Sequence, residues 1–318
     1  MNTNENKIIG VSTLALDAVE RIPIGTIKNT DFIVCDMDSD RLERSSVQNK
    51  ILLGTGKIER LSLERQIELG MDSVLNSELN LAMNSAIDGF DELDSLFLEG
   101  SKTVILIAPV GCTTGAGATP VIAQIAKRRG LFVVAIVLEP FDFEGEMKTQ
   151  IANKTLKKLR EDCDFVLVLK YSKLGKLYGN LGFKSSFGKI DDIVIRLAKT
   201  ILPSGPINDD WLDLKLFFEK RQKDKLFFIG IGEGGGNNRA KEATELALKS
   251  TLSERETFEG VSNVVIQINY GSTKITTDEI GQMKDAVLNA LGNNCSITVS
   301  ISQDILLGDK LSVLIIAY

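Results

Sequence analysis

The chain has 318 residues, 43% apolar and 25% charged, which suits one large or two medium globular domains. Its net charge of −6 argues against a nucleic-acid surface as its main business, and no apolar run reaches the roughly 18 residues of a transmembrane helix. Histidine is absent, which removes Ser-His-Asp and Cys-His nucleophiles and weighs against zinc, and the scattered Cys35, Cys112, Cys163 and Cys295 read as reduced thiols.

In chain order, the polar start MNTNENKIIGV lacks the apolar core of a secretory signal, so the expected location is cytoplasmic. KIIGV (7–11) reads as a buried strand and is followed by helix-like spacing in LDAVERI. DFIVCD (31–36) is a second strand, 78–98 a helix, and TVILIAPV (103–110) a third strand. A loop of small residues at 109–117 then leads into a helix at 117–129. LFVVAIVLE (131–139), a helix at 144–161 and DFVLVLKY (164–171) complete an alternation that predicts a parallel sheet wrapped by helices. A long helix spans 186–202, and PSGPINDD breaks it. After EKRQKDK a second block has strands at 225–232, 262–271, 295–303 and 310–318, with helices at 238–251 and 276–291. The fold class is therefore α/β: a parallel-sheet domain, a long central helix and a second, smaller α/β domain.

Four stretches carry chemistry. Pro109-Val-Gly-Cys-Thr-Thr-Gly-Ala-Gly-Ala-Thr-Pro120 offers amides and hydroxyls at a helix start, which suits a phosphate as well as it suits an ordinary tight turn. It is not a Walker A loop, since no Lys-Ser/Thr follows the glycines. Asn208-Asp-Asp-Trp-Leu-Asp213 places Asp210 and Asp213 on one face of a helix start, where they would orient a water, or else the stretch is a plain helix start capped by Asn208 or Asp209. Gly230-Ile-Gly-Glu-Gly-Gly235 matches G-x-G-x-x-G, read either as a dinucleotide turn or as a plain turn. In Glu139-Pro-Phe-Asp-Phe-Glu-Gly145, Glu144 either reaches a sugar hydroxyl or caps a helix.

Together these stretches resemble the FtsZ family, the bacterial members of the tubulin family. The 109–120 loop is similar to the family's glycine-rich phosphate signature, and VLEPFDFEG to its ribose loop. KLYGNLGFKSSFGKIDDIV resembles the entry to the central helix, NDDWLD the acidic catalytic loop, and GIGEGGGNNRAKEA the opening of the second domain. VSNVVIQINYG and TTDEIGQM look like its later parts. The resemblance covers nearly the whole chain and removes the dinucleotide reading of 230–235. It implies a GTP-binding domain at 1–185, a central helix at 186–203, an acidic loop and connector at 204–224, and a second domain at 225–318. It further implies GTP or GDP as ligand, with Mg2+ as a further candidate, and head-to-tail filaments in which the acidic loop of one subunit completes the site of the next. Asp210 and Asp213 would polarise the water, with Asn208 beside them. Gly111, Thr114, Gly115 and Gly117 would hold phosphates, Glu144 would contact the ribose, Phe187 and Asp191 would meet guanine, and Gly10 and Lys148 would also lie at the nucleotide.

The departures from the family fall on the nucleotide side. Ser12-Thr-Leu-Ala-Leu-Asp17 stands where the family has a run of glycines, Asp17 replaces an asparagine, and Cys112 and Thr113 occupy glycine positions. LGMDSVLNSE (69–78) replaces a third glycine-rich loop, Lys148 stands for an arginine, and Tyr171 for an asparagine on the purine side. The acidic loop is complete. Two readings stay open: a GTP-binding, filament-forming FtsZ of low GTPase activity in cell division, or a pseudo-GTPase that co-assembles with or caps a true FtsZ. Nucleic acid and direct membrane insertion are not expected. The family's adaptor-binding tail has no counterpart in the 318 residues.

Overall fold

Runs rich in valine, isoleucine and leucine build one sheet, and helices between them cover it. The structure, a computed structural model, describes residues 4–23, 25–54, 77–97, 100–173, 183–202, 226–292 and 295–318. Six strands enter the first sheet: β1 (Asn6–Val11), β2 (Thr30–Asp36), β3 (Asn49–Leu52), β4 (Thr103–Pro109), β5 (Phe132–Glu139) and β6 (Phe165–Lys170). Their order is β3-β2-β1-β4-β5-β6, and β3 through β5 pair in parallel. The intervening helices are α1 (Thr13–Glu20), α2 (Ser39–Arg44), α3 (Ser77–Asp88), α4 (Phe90–Ser95), α5 (Thr113–Arg128) and α6 (Glu146–Asp162), followed by α7 (Phe183–Ile201). β4 is buried along its whole length, as a strand covered on both faces must be. The chain runs β1, β2, β3 toward one edge and resumes at β4 on the other side of β1. The carboxyl ends of β1 and β4 therefore flank a topological switch point.

The chain divides into two compact units, one of 1–167 with 190–195, the other of 168–189 with 196–318. The second unit holds β7 (Phe228–Gly234), α8 (Arg239–Lys249), β8 (Asn263–Tyr270), α9 (Thr277–Leu291), β9 (Ser296–Gln303) and β10 (Leu311–Ala317). Its sheet is ordered β7-β10-β8-β9, with β10 antiparallel to both neighbours and β8 parallel to β9. Ala243, Ala247, Val264, Ile266, Met283, Val287, Val313 and Ile315 make its core. Among the described residues no helix is long and apolar enough to cross a membrane.

Several sequence expectations are corrected. The helix expected at 117–129 starts at Thr113, so the small-residue loop shrinks to Val110-Gly111-Cys112. The start is fixed early because the Cys112 side chain accepts the Gly115 N–H. Pro120 does not break this helix. It leaves the Ala116 carbonyl without its helical donor, and Thr155 Oγ1 of α6 lies 3.4 Å from that oxygen. The single helix expected at 78–98 is two, parted at Gly89, and the helix expected from 144 starts at Glu146, after a 3-10 turn at Asp142–Glu144 and Gly145 at φ 99°. β3 and α2 lie in a stretch with no assigned pattern.

The glycines at 230–234 lie inside β7 and do not form a phosphate turn. A Cβ on Gly230, Gly232 or Gly234 would stand 2.0, 2.1 or 2.2 Å from the carbonyl oxygens of Ala247, Ala243 and Arg239. The strand is bare on one face so that the backbone of α8 can lie directly on it. Gly232→Ala is expected to cost about 3 kcal/mol through this overpacking. Gly281→Ala, in the open middle of α9, is expected to stabilise by about 0.5–1 kcal/mol. Urea unfolding of the two variants checks the pair, and equal effects would contradict the packing account.

Candidate functional site

The site is built at the switch point, from the turns that leave β1, β2, β4 and β5. Ser12 follows β1 directly and has φ 80°, ψ 153°, a region in which L side chains are strained and glycine is not. Its N–H donates to the Cys35 carbonyl, and its own carbonyl accepts from Ala15 and Leu16, which starts α1. The side chain, thrown to one side by that φ, meets the turn after β4: Ser12 Oγ lies 3.3 Å from Cys112 Sγ. The thiol proton is directed at the Pro109 carbonyl, also 3.3 Å away, which leaves the Ser12 hydroxyl as the donor to sulfur. Burial pushes the Cys112 thiol up, and Asp36 adds to the rise. The Ser12 hydroxyl, the Gly115 N–H and the Lys148 ammonium only partly offset it, so the group stays a thiol at neutral pH.

Asp36 closes β2 and is buried. Its carboxylate accepts Thr13 Oγ1 at 2.9 Å and the Met37 N–H at 2.7 Å, and so pins the first residue of α1. Its signal in the sequence is an acid at the carboxyl end of a parallel strand, the last residue of DFIVCD.

The expected phosphate residues are gathered by the same turns but in different roles. Thr114 is the second residue of α5, partly buried, in the turn whose amides have no helical acceptor. Gly115 is the third, and a Cβ there would lie 2.1 Å from the Pro109 carbonyl oxygen. Gly117 is the fifth, past the amides of the first turn. Gly111 packs against the Pro140 ring, and Gly10 lets α1 fold back on β1, a Cβ there standing 2.9 Å from Val19 Cγ2. A helix start with small residues at a switch point suits a phosphate held by backbone N–H groups.

Glu144 accepts from the Phe141 N–H at 2.8 Å and from Lys148 Nζ at 2.6 Å. Burial pushes its carboxyl up, but the Lys148 ammonium and that N–H outweigh it and hold the group below its ordinary value. Glu144, expected at a ribose, and Lys148, expected at the nucleotide, are thus paired with each other. Asp17, which stands where the family has an asparagine, shares Arg41 of α2 with Glu20. Asp191 is buried and accepts from Arg21, an arginine that nothing in VERI distinguishes and that lies 170 residues away in sequence. Phe187 meets Tyr171 edge to face, centroids 5.7 Å apart. Asn208, Asp210 and Asp213, and the loop replacement at 69–76, lie outside the described residues. Among the described residues no cluster of three or more acids or cysteines could hold a metal ion.

Ser12→Gly is expected to raise stability by about 1 kcal/mol, because release of the positive-φ strain exceeds one weak hydrogen bond to sulfur. Thermal unfolding checks it, and a clear fall in Tm would contradict the strain.

Comparisons with known proteins bear on the family and the fold. Residues 25–179 match a model described as Tubulin/FtsZ family, GTPase domain, and residues 226–318 match FtsZ family, C-terminal domain. The cell division protein FtsZ of Mycoplasmopsis pulmonis is 32% identical over 98% of this chain and 76% of its own length. The FtsZ of Pseudomonas aeruginosa is 27% identical over the same shares. A solved structure titled "FtsZ dimer, empty (M. jannaschii)" superposes with a TM-score of 0.82 at 25% identity, covering 99% of this chain and 88% of that one.

Proposed function

The chain belongs to the Tubulin/FtsZ family, and from that membership we propose that it binds GTP and GDP at the carboxyl edge of its parallel sheet and assembles head to tail in cell division. The family's ligands are guanine nucleotides and its members form filaments. For this chain the reading is carried by one observation: the first turn of α5, built from Thr113, Thr114 and Gly115, opens at the switch point between β1 and β4. The helix dipole and the amides of this turn other than that of Gly115, whose N–H already meets Cys112 Sγ, supply the phosphate contact that the lost glycines no longer give. Asp36, the acid at the end of β2, is engaged by Thr13 and the Met37 N–H, and no acid cluster among the described residues would hold a metal ion, so any Mg2+ would come with the phosphates.

Glu144 and Lys148 would meet the ribose side of the ligand, and Phe187 and Asp191 the base. The division into a GTP-binding domain at 1–185, a central helix at 186–203, a connector at 204–224 and a second domain at 225–318 belongs to the same proposal. Phosphoryl transfer to water asks for positioning and charge stabilisation more than for covalent chemistry. Asp210 and Asp213, with Asn208 beside them, would orient the attacking water in the site of the neighbouring subunit.

A second reading is favoured by the Ser12–Cys112 contact, which bridges the two turns that would cradle a diphosphate. On it the chain is a pseudo-GTPase that lends its acidic loop to a true FtsZ and caps the filament.

Calorimetry with GDP and GTP on the wild type and on Asp210→Ala tests the first reading: both should bind, and only the wild type should turn GTP over. No binding at millimolar nucleotide would contradict it. If the chain then also changes the sedimentation or GTP turnover of a polymerising FtsZ, the second reading stands. If it changes neither, both fall.

A further inference from the structure

Arg21 caps the carboxyl end of α1, and its guanidinium spans two carboxylates of α7. Nη1 donates to Asp191 Oδ2 at 2.9 Å and Nη2 to Asp192 Oδ1 at 2.6 Å. Arg21 is partly exposed, whereas Asp191 is buried. The charged groups that face Asp191 are Arg21 and Asp17 of α1 and Asp192 of its own helix. Arg41 of α2 is engaged by Asp17 and Glu20, so within this cluster Arg21 is the cation on Asp191. Burial pushes the Asp191 carboxyl up, and Asp17 and Asp192 push the same way. Arg21 opposes all three and offsets them in part, so the group stays above its ordinary value but lower than it would without Arg21.

A carboxylate offers about four lone-pair positions, so Asp191 keeps acceptor capacity beyond the one bond to Arg21. A protonated acid is a donor beside an acceptor, and a carboxylate is two acceptors. Guanine presents two neighbouring donors, N1–H and the N2 amine. Hypoxanthine presents only N1–H, and adenine an acceptor beside a donor. The charge on Asp191 therefore decides which purine edge it fits. The same helix α1, about 12 Å long at 1.5 Å per residue, begins at the strained Ser12 turn and ends at Arg21. One rigid element thus joins the phosphate turn to the base contact.

Resting on the reading of Asp191 as the base contact, we propose that Arg21 is a positioning residue for guanine selectivity, which holds Asp191 as an aimed carboxylate that accepts from two base donors. Arg21 is then not a plug that the base must displace.

The test is calorimetry of GDP, IDP and ADP on the full chain, for wild type, Arg21→Met and Arg21→Lys, between about pH 5 and 8. Arg21→Met should weaken GDP roughly tenfold, the worth of one charge-assisted hydrogen bond. IDP should change less, and the GDP loss should deepen as pH falls, because the uncompensated Asp191 takes up its proton at higher pH. Arg21→Lys, which keeps the charge, should restore most of the affinity. In the nucleotide-free protein, carbon-13 NMR should show the Asp191 carboxyl titrating at higher pH in Arg21→Met, and about as in the wild type in Arg21→Lys. GDP binding by Arg21→Met that equals or exceeds the wild type overturns the proposal. So does an equal loss of GDP and IDP at every pH, or an unmoved Asp191 titration. If Arg21→Met does not fold, Arg21→Lys decides: guanine preference lost despite the retained charge overturns the proposal, and preference kept with an unmoved Asp191 titration supports it. A wild type that binds none of the three diphosphates overturns the nucleotide reading itself and this inference with it.

Discussion

Everything at the site follows from one geometric demand: β1 and β4 are neighbours in the sheet although β2 and β3 come between them in the chain. The turns that leave their carboxyl ends must then face each other across a narrow gap. Glycine is the residue that makes such turns without strain. Here Ser12 adopts the conformation anyway, at φ 80°, and its hydroxyl meets the Cys112 thiol on the other side. The cost of that backbone, about 1–3 kcal/mol, is sustained by the structure around it. The Cys35 carbonyl holds the Ser12 N–H, and the buried Asp36 holds Thr13.

The charged side chains on this face are largely satisfied within the chain. Glu144 pairs with Lys148, Arg41 with Asp17 and Glu20, and Arg21 with Asp191 and Asp192. A polyanion bound here would lean on backbone amides and on the α5 dipole, because the nearby ammonium already has its carboxylate. Binding of this kind depends on shape and on the positions of the amides, and less on net charge. It also means that a ligand on the ribose or base side must join pairs that exist without it. α1 links the two halves of the face, since the strain at its start and the ion pair at its end act on one short rod.

Much of the architecture was legible from the sequence, because buried parallel strands are continuous apolar runs. TVILIAPV and LFVVAIVLE became β4 and β5 nearly residue for residue. The pattern places the start of α5 at 117 and the structure at Thr113, because small residues read as loop. Gly115 is small for another reason: it must pass beside the Pro109 carbonyl oxygen within the helix's first turn. The same logic governs Gly230, Gly232 and Gly234, whose spacing imitates a dinucleotide turn but serves a helix lying on a strand. β3 and α2 were unread because they are short and the edge strand carries little apolar pattern. At the site, the acids on the sheet edge could be found from strand ends. Arg21 could not, because a pairing across 170 residues leaves no local mark.

The central claim is that backbone amides of two facing turns, and not cationic side chains, hold a diphosphate. Amide chemical shifts of the labelled protein during a GDP titration test it most directly. The account predicts saturable shifts at the amides after β1 and β4, largest at Thr13, Thr113 and Thr114. Smaller ones are expected at Ser12 and Gly115, whose N–H groups already meet the Cys35 carbonyl and the Cys112 sulfur, and at the Lys148 side chain. Shifts confined to Lys148 and Glu144, or no saturable shift at the amides after β1 and β4, would contradict it.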